Sequence, residues 1–591
     1  FDSLPATTYT YQKGDSMATD TIENMVLSNI YADLIVPVQS DTEDFLKNYR
    51  QYGAQLFGGR LGMIHVPREK DSLNQRISYS SIPKLYTTLD YESLTSSGIL
   101  RVQTQPSLSY RGKGVLLGFL DTGIDYTSPA FLTPEGQTRI LGLWDQTETS
   151  GTPPYDLGYG TAYTSDEINR ALQTDRPFDL VPSVDTSGHG TFLTGVAAGS
   201  PDSSRQFLGA APEADLAIVK LKEAKPYLQD YFLTNTDQPV FQETDIMMGI
   251  RYLVILSILY ERPLVICLGL GTSQGDHSGN SALDRLLTYY VNYQNCFCTC
   301  AGGNETGAGH HFSSIAPFSS ESTIAEIAVP SAHPGFCMEI WAASPALYTL
   351  TVISPLGESI SEITPKQGTQ MTYHFIAERS VLEVRYEIAE FNSGFQLIFL
   401  RLLTPTEGIW SLRLRNSSQI QTDVHMWLPI RGLQQNDVFF LAPDPDTTVT
   451  GPGNTPALIT LGGYDSKTES IWASSSRGYT LSGQVKPDLT APAVEVYGPS
   501  PSRLSTSGLP SLDSFTRKTG TSAASALAAG ALAILINWSM ERSNDFFPFL
   551  TNRSAKNYFI RGARRRNVYS YPNREWGYGE LDLYGVFESL L

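Results

Sequence analysis

Almost wholly apolar runs recur along the first and last parts of the chain, with helix-like stretches between them. The run from Gly114 to Leu120 has the pattern of a parallel strand covered on both faces. The amphipathic stretch from Ile246 to Tyr260 separates two of the later runs, which are Leu216 to Leu221, Leu264 to Leu268, Cys296 to Ala301 and Ala457 to Leu461. Strands that alternate with helices predict an α/β fold with a doubly wound parallel sheet.

This alternation stops between about Ala332 and Thr455. Short strand-like runs divided by Pro, Gly, Asn and Ser replace it, with no convincing helix between them. Closely spaced strands with turn signals predict a β-sandwich or jelly roll. We therefore expect an all-β domain over 335–455, inserted into an α/β domain that spans 97–334 and 456–591.

The N-terminal part of the chain has a third pattern. Residues 1–27 are polar and lack periodicity, which predicts a loose leader. A strand pattern from Ile30 to Val38 precedes acidic residues and a helical spacing of apolar residues, and Leu56 to Val66 then has the pattern of one or two strands. Residues 28–96 are therefore predicted to form a small α+β module.

Composition narrows the classes of partner. Hydrophobic residues make up 41% of the 591 residues and charged residues 17%, a globular balance, and the net charge is −18. Such an acidic chain disfavours nucleic acids and anionic membranes as partners. No uncharged apolar stretch reaches eighteen residues, so no membrane span is predicted. The N-terminus lacks the basic-then-apolar order of a secretory signal, which was either removed or never present.

The five cysteines indicate neither disulfides nor a metal site. Cys296, Cys298 and Cys300 alternate along one predicted strand and therefore share one face, where they cannot easily pair with one another. With Cys267 and Cys337 they are interpreted as buried thiols. Zinc sites favour loop spacings such as Cys-x2-Cys, and none is present.

A serine opens the most apolar helix predicted in the chain. Ser522 follows Gly520-Thr521 and precedes the run from Ala526 to Trp538. Its hydroxyl would lie near the positive end of the helix dipole, which suits a nucleophile. A helix cap is an equally ordinary use of serine at this place, so the heptapeptide alone leaves both interpretations open.

Three other segments supply partners for a nucleophilic serine. Asp121 ends the first buried strand, where it is either a functional carboxylate or a turn former, and His189 lies between two glycines. An aspartate that orients an imidazole, which in turn accepts the serine proton, performs acyl transfer, and the order Asp, His, Ser is known on α/β scaffolds. Asn304, directly after a buried strand, is a candidate oxyanion donor.

Together these segments resemble the subtilisin-like serine proteases. Asp121-Thr122-Gly123, Gly188-His189-Gly190-Thr191 and Gly520-Thr521-Ser522-Ala523 match the three catalytic motifs of that family, and Ala301-Gly302-Gly303-Asn304 matches its oxyanion motif. The resemblance implies a serine endopeptidase that cleaves protein substrates and needs no cofactor. It allows structural calcium on irregular loops, but the sequence identifies no metal ligand.

The resemblance also implies a substrate groove and a propeptide. Leu270 and Gly271 match the segment that pairs with an extended substrate, with Gly269 in place of the usual serine, and Gly302 and Gly303 would line the pocket for the residue before the cut. The family's propeptide assists folding and places its last strand in the active site. Residues 28–96 resemble it, with self-cleavage expected between Tyr86 and Ser97. The alternative is a permanent accessory domain.

Within the family, the chain resembles the Csp germination proteases of clostridial spores. Three features together carry this resemblance: the propeptide without an evident secretory signal, the β insertion, and the motif from Gly271 to Gly279. It implies a spore enzyme that activates the precursor of a cortex hydrolase and retains its propeptide non-covalently. The alternatives are a secreted or surface subtilase of a gut bacterium with broad peptide substrates and a pseudoprotease-like scaffold in germinant signalling. The three motif residues are all present, which favours an active protease.

Overall fold

The computed structural model describes residues 21–39, 41–68, 77–88, 96–292, 295–315, 322–418, 420–434, 438–502, 515–542 and 550–590. The N-terminal module, residues 21–88, pairs β1 and β2 on either side of β3 in an antiparallel sheet. The last strand of the module, β4, is not part of this sheet and pairs with strands of the main domain. The elements are α1 (Ile22–Leu27), β1 (Tyr31–Pro37), α2 (Thr42–Asn48), β2 (Gln55–Gly58), β3 (Leu61–Pro67) and β4 (Leu85–Thr88).

The prediction of a loose leader over residues 1–27 is wrong for Ile22–Leu27, which form α1, while residues 1–20 lie outside the described residues. In α1, Met25 and Val26 are buried, and Val26 packs into the core of the main domain. Thr21 caps the helix by accepting a hydrogen bond from the N–H of Asn24. A single turn and a half of helix has too short a pattern to stand out in the sequence, and tertiary packing stabilises it.

The main domain follows, and its first part contributes most of a nine-stranded sheet. The elements are α3 (Ile99–Thr104), β5 (Leu116–Asp121), β6 (Ile140–Asp145), β7 (Thr161–Thr164), α4 (Ser165–Leu172), α5 (His189–Ala198), β8 (Asp215–Lys220), α6 (Pro226–Tyr231), β9 (Phe241–Gln242), α7 (Glu243–Leu259), β10 (Leu264–Leu268), β11 (Leu270–Gly271), α8 (Ala282–Asn292) and β12 (Cys296–Ala301). The sequence pattern did not predict β6, β7 or α4.

Residues 311–440 form two antiparallel sheets of six and five strands around one hydrophobic core. We refer to them as the β sandwich. Its strands begin at His311, earlier than the boundary of 335 predicted for the insertion, and end at Phe440. They are β13 (His311–Ile315), β14 (Ser322–Val329), β15 (Gly335–Ala342), β16 (Tyr348–Ile353), β17 (Ser359–Ile363), β18 (Gln370–His374), β19 (Val381–Glu387), β20 (Gln396–Leu403), β21 (Gly408–Asn416), β22 (Asp423–Trp427) and β23 (Phe439–Phe440).

The last part of the chain completes the main domain. It contains β24 (Ile459–Asp465), β25 (Ser470–Ile471), β26 (Leu489–Pro492), β27 (Val496–Pro499), β28 (Phe515–Lys518), α9 (Thr521–Arg542), α10 (Asn552–Gly562) and α11 (Leu583–Leu590). The central strands β6, β8, β5, β10, β12, β24 and β26 are all parallel, with β7 and β25 antiparallel beside them. The predicted α/β parallel sheet is therefore confirmed.

The two faces of this sheet are covered by different helices. Leu117 and Phe119 of β5 face a core formed with α5 and α9, while Leu116 and Leu120 face a core formed with α7 and α8. All five cysteines are free and buried, and Cys296, Cys298 and Cys300 share the second core, as their alternation predicted. Burial on both faces explains why these strands have nearly continuous apolar sequences.

Helix α9 is long and apolar enough to cross a membrane, with a mean hydropathy of 1.6 over its most apolar window, but 89% of that window is buried inside the protein. It packs against β10, β12, β24 and α5. Burial on all sides accounts for a helix without a polar face.

A fourth core joins all three parts of the molecule. The N-terminal module, the main domain and the β sandwich each contribute large buried side chains to it, among them Leu34, Tyr79, Leu85, Tyr227, Phe232, Trp341, Phe399 and Trp427. Separating the module from the rest would expose this apolar surface to water, which is unfavourable.

Candidate active site

Asp121 and His189 come together at the carboxyl end of the parallel sheet. Asp121 is the last residue of β5, and His189 is the first residue of α5. His189 Nδ1 lies 2.7 and 2.8 Å from Oδ1 and Oδ2 of Asp121, and both side chains are buried. The carboxylate therefore fixes the orientation of the ring and leaves Nε2 facing away from it.

Two glycines beside His189 permit this approach. Gly188 has φ +73°, a left-handed conformation that glycine adopts without strain, and the helix begins after it. A Cβ on Gly190 would lie 2.2 Å from the carbonyl oxygen of Gly123. The start of α5 and the turn after β5 can touch only because residue 190 has no side chain.

Asp185 ties the same two segments together, and sequence reasoning missed this role. Its buried carboxylate accepts hydrogen bonds from the hydroxyl of Thr122 at 2.8 Å, the N–H of Gly188 at 2.8 Å, and the N–H and hydroxyl of Thr191 at 2.9 and 2.6 Å. Its place four residues before His189 was the only signal in the sequence. Asp185 positions the His189 segment relative to the Asp121 turn.

Ser522 lies in the first turn of α9, with Oγ 3.5 Å from His189 Nε2. This distance is longer than a formed serine–histidine hydrogen bond, as is common where no substrate is bound. Three residues further along the helix, Ser525 Oγ lies 3.4 Å from the carbonyl oxygen of Leu268 and anchors α9 to β10. The structure thus places Asp121, His189 and Ser522, the three predicted residues, next to one another in that order.

Asn304 lies beside the start of α9, as the sequence predicted for a neighbour of Ser522. Its Oδ1 accepts hydrogen bonds from the N–H of Thr521 at 3.1 Å and from the Thr521 hydroxyl at 3.0 Å. Because Oδ1 is held in this way, the Nδ2 of the amide is the group that can donate to another molecule. Asn304 is partly exposed, unlike Ser522 and His189.

The chain's own β4 fills the groove predicted for substrate. Leu270 of β11 lies opposite Thr88, and Gly271 lies opposite Thr87, in an antiparallel pair. On its other side β4 pairs with β9, where Leu85 lies opposite Gln242. Ser522 and His189 are 0% and 3% exposed in this arrangement. Residues 89–95, which contain most of the predicted cleavage region, lie outside the described residues.

Gly302 and Gly303 connect β12 to Asn304. The N–H of Gly302 donates to Leu461 at 2.8 Å, and its carbonyl accepts from the N–H of Thr450 at 2.9 Å. A Cβ on Gly303 would lie 2.7 Å from Ser476 Oγ and 2.7 Å from Thr450 Cγ2. The hydroxyl residues Thr450 and Ser476 thus close the space behind these glycines.

Comparison with known proteins agrees with this geometry. A profile of the subtilase family matches residues 112–354 and 436–579, more than half of the chain. The chain belongs to the subtilase family. The gap between the two matched ranges, 355–435, lies within the β sandwich, and residues 1–111 and 580–591 are also unmatched. This subtilase is a subtilisin-like serine peptidase and acts on protein substrates.

Solved structures are also similar to this subtilase. The CspB protease of Clostridium perfringens aligns with a TM-score of 0.72 and 28% identity, over 84% of this chain and 98% of that chain. The prenylagaramide maturation protease PagA aligns with a TM-score of 0.41 and 12% identity, over 84% and 98%. No protein with a curated description matches the chain.

No cluster suited to a metal ion is found in the described parts of this subtilase. The Cys267 thiol lies 3.7 Å from Ser525 Oγ of the Ser522 helix. Burial raises the pKa of Cys267 to about 12. It therefore stays protonated and is a poor nucleophile or metal ligand at neutral pH.

Proposed function

We propose that Asp121, His189 and Ser522 are the catalytic triad of an endopeptidase. The observation that carries this proposal is the line from the Asp121 carboxylate through both nitrogens of the His189 ring to Ser522 Oγ. His189 Nε2 takes the hydroxyl proton as Oγ attacks the scissile carbonyl, and the Asp121 carboxylate stabilises the imidazolium that forms. The same proton then goes to the leaving amine, and water releases the acyl group by the reverse sequence.

Asn304 is the proposed oxyanion donor. In the tetrahedral intermediate the former carbonyl oxygen carries a negative charge, which the Asn304 Nδ2 and the backbone N–H of Ser522 would stabilise. The contacts from Thr521 hold the amide with its oxygen away from that charge. Loss of such a donor typically lowers turnover by about 10² to 10³. The reaction consists of acyl transfer and proton transfers, which need no cofactor.

The N-terminal module is proposed to be a propeptide that the enzyme cleaves and then retains. Support comes from β4, which pairs with β11 as an extended substrate would, with its last residue Thr88 opposite Leu270. A Cβ on Gly269, the next residue along the groove, would lie 3.1 Å from Ser522 Cβ. The core shared with the main domain and the β sandwich favours retention after the cut.

In the cell, the proposed role is that of a germination protease in the bacterial spore. Its proposed substrate is the precursor of a spore-cortex hydrolase, and the β sandwich is proposed to be the jelly roll of the Csp proteases. The support is the similarity to the CspB protease over 84% of the chain. Incubation with such a precursor tests this role separately: an intact precursor beside a self-processed enzyme would contradict it while leaving the triad in place.

Labelling with a fluorophosphonate probe and N-terminal sequencing test the proposed catalysis together. We expect the native chain to be labelled and to yield a new N-terminus between Tyr86 and Ser97, whereas Ser522→Ala shows neither. Ser525→Ala is the matched control, because Ser525 is equally buried on the same helix but lies away from His189. A processed enzyme that resists labelling from pH 6 to 9, even after β4 has been displaced, would rule out the triad.

A further inference from the structure

Two side chains hold β4 beyond the point where its pairing with β11 ends. Strand β11 has two residues, and its partners are Thr87 and Thr88. Further upstream, the N–H of Leu85 donates to Oε1 of Gln274 at 2.9 Å, and the N–H of Lys84 donates to Oε2 of Glu243 at 3.0 Å. Side-chain oxygens thus bind backbone groups that no strand neighbour binds.

Glu243 also binds the segment through its own backbone. Its N–H donates to the carbonyl oxygen of Lys84 at 2.8 Å, so both the N–H and the carbonyl of Lys84 are bound by Glu243. The second carboxylate oxygen, Oε1, accepts from the N–H of Leu283 at 3.0 Å and fixes the side chain at the start of α7. Glu243 is 1% exposed, so an unpaired Oε2 would be costly.

Gln274 is held differently. It is 7% exposed, yet among the described residues its Nε2 has no hydrogen-bond partner and its Oε1 binds only Leu85. The hydrogen bond from the N–H of Leu85 is therefore the one that the Gln274 side-chain amide makes in the described residues, and the main domain supplies no other. Gln274 lies in the Gly271–Gly279 motif, to which the triad assigns no task.

We propose that Gln274 and Glu243 extend the substrate groove, and that the enzyme binds polypeptides reaching at least four residues upstream of the position of Thr88. This inference rests on the proposed function. A substrate must present a backbone N–H at the positions now held by Lys84 and Leu85, which excludes proline at both. The position of Leu85, which is 0% exposed within the shared core, selects an apolar side chain. The substrate class is therefore a long extended segment.

The first test uses the full chain and the rate at which a fluorophosphonate probe labels Ser522. Without the hydrogen bond from Leu85 to residue 274, β4 leaves the groove more often. We therefore expect Gln274→Ala to be labelled about fivefold faster than the native chain, as the loss of one hydrogen bond of about 1 kcal/mol implies. Ser278→Ala is the control, since its hydroxyl donates only to Asp276 of the same loop. Equal labelling of Gln274→Ala and the native chain would overturn the proposal.

The second test uses synthetic peptides of this chain's own sequence. A peptide of residues 80–97 should be cleaved with a KM several-fold lower than a peptide of residues 86–97, and Gln274→Ala should reduce this difference to the part that Glu243 supplies. N-methylation at Leu85 should raise KM, while N-methylation at Ile82, whose N–H donates in the full chain to Tyr79 and not to the main domain, should not. Equal KM values for long and short peptides would overturn the proposal. Absence of labelling and cleavage in every form would instead overturn the proposed function, and this inference with it.

Discussion

Gly190 lies so close to Gly123 that a Cβ on Gly190 would be 2.2 Å from the Gly123 carbonyl oxygen and 3.1 Å from the Cβ of Asp121. The Gly190→Ala variant must therefore move α5 away from β5, and His189 moves with it. We expect kcat/KM to fall by about 10² or more, because a displacement of about 1 Å at a catalytic group costs that much. Steady-state kinetics on a peptide substrate measure this.

The control for Gly190→Ala is Gly136→Ala. Gly136 has φ +79°, and a Cβ there would meet nothing within 4 Å, so the substitution introduces backbone strain only and lies away from the site. We expect a loss of about 1 kcal/mol in stability and unchanged kcat/KM. A Gly190→Ala enzyme with native kcat/KM would show that the close approach is not needed for catalysis.

Gly269 replaces the serine usual in the family, and its surroundings explain the departure. A Cβ at this position would lie 2.5 Å from Leu193 Cδ1 and 3.3 Å from His189 Cε1. We expect Gly269→Ser to lower kcat/KM roughly tenfold, because the new side chain presses on Leu193 and the imidazole. Combining it with Leu193→Val, which removes the Cδ atoms, should recover part of the loss. A Gly269→Ser enzyme more active than the native one would contradict this explanation.

Much of the catalytic domain could be predicted because its strands are buried on both faces. Such strands are nearly continuous apolar runs, and the candidate site residues lie at their ends, so Asp121 and Asn304 stood out in the sequence. The role of Asp185 could not be predicted in this way. Its partners are spread from Thr122 to Thr191, and only the fold brings them together.

The β sandwich was harder to delimit for a related reason. Strand β15 is buried along its whole length because Met338 and Ile340 face the core of the sandwich while Cys337 and Trp341 face the core shared with the N-terminal module. Such a strand lacks the alternation of a half-exposed sheet, and it also contains Glu339. Its pattern therefore did not predict β15, and β13 and β14, which lie before the predicted boundary of 335, were not predicted either.

Glu339 should make stability depend on pH. Burial raises its pKa to about 8 from an ordinary value of 4.5, although its Oε2 accepts hydrogen bonds from Gly275 and Trp341. Between pH 4.5 and 8 the folded chain holds a proton that the unfolded chain releases, so this group's contribution to the free energy of unfolding falls as pH rises, by about 1.4 kcal/mol per pH unit. Above pH 8 it no longer changes.

The Glu339→Gln variant is neutral at every pH and should lack this dependence. We expect it to gain stability relative to the native chain as pH rises from 5 to 8, measured as the difference in denaturant midpoint at each pH. Taking the difference between the two proteins cancels the other titrating groups. A constant difference across this range would show that Glu339 is ionised in the folded chain.

Lys225 connects the main domain to the N-terminal module through a buried charge. Its Nζ lies 2.7 Å from Asp33 Oδ1 and donates to the carbonyl of Met25 at 2.9 Å, and both charged side chains are almost completely buried. Lys225→Met would leave the Asp33 carboxylate with His65 and Gln242 as partners but without the cation. Breaking a buried pair on one side typically costs about 3 to 5 kcal/mol.

If the module is retained after processing, this destabilisation should appear as release. We expect Lys225→Met to be processed and then to lose the module during size-exclusion chromatography, with faster probe labelling of Ser522, while the native fragments elute together. Arg176→Met, which removes a pair with Asp179 that is 80% and 57% exposed, should behave as the native chain does. Co-elution of the Lys225→Met fragments would mean that the apolar core shared by the three parts holds the module without the Lys225–Asp33 ion pair. Such a result would fit the rule that an ion pair buried at an interface contributes specificity more readily than net affinity.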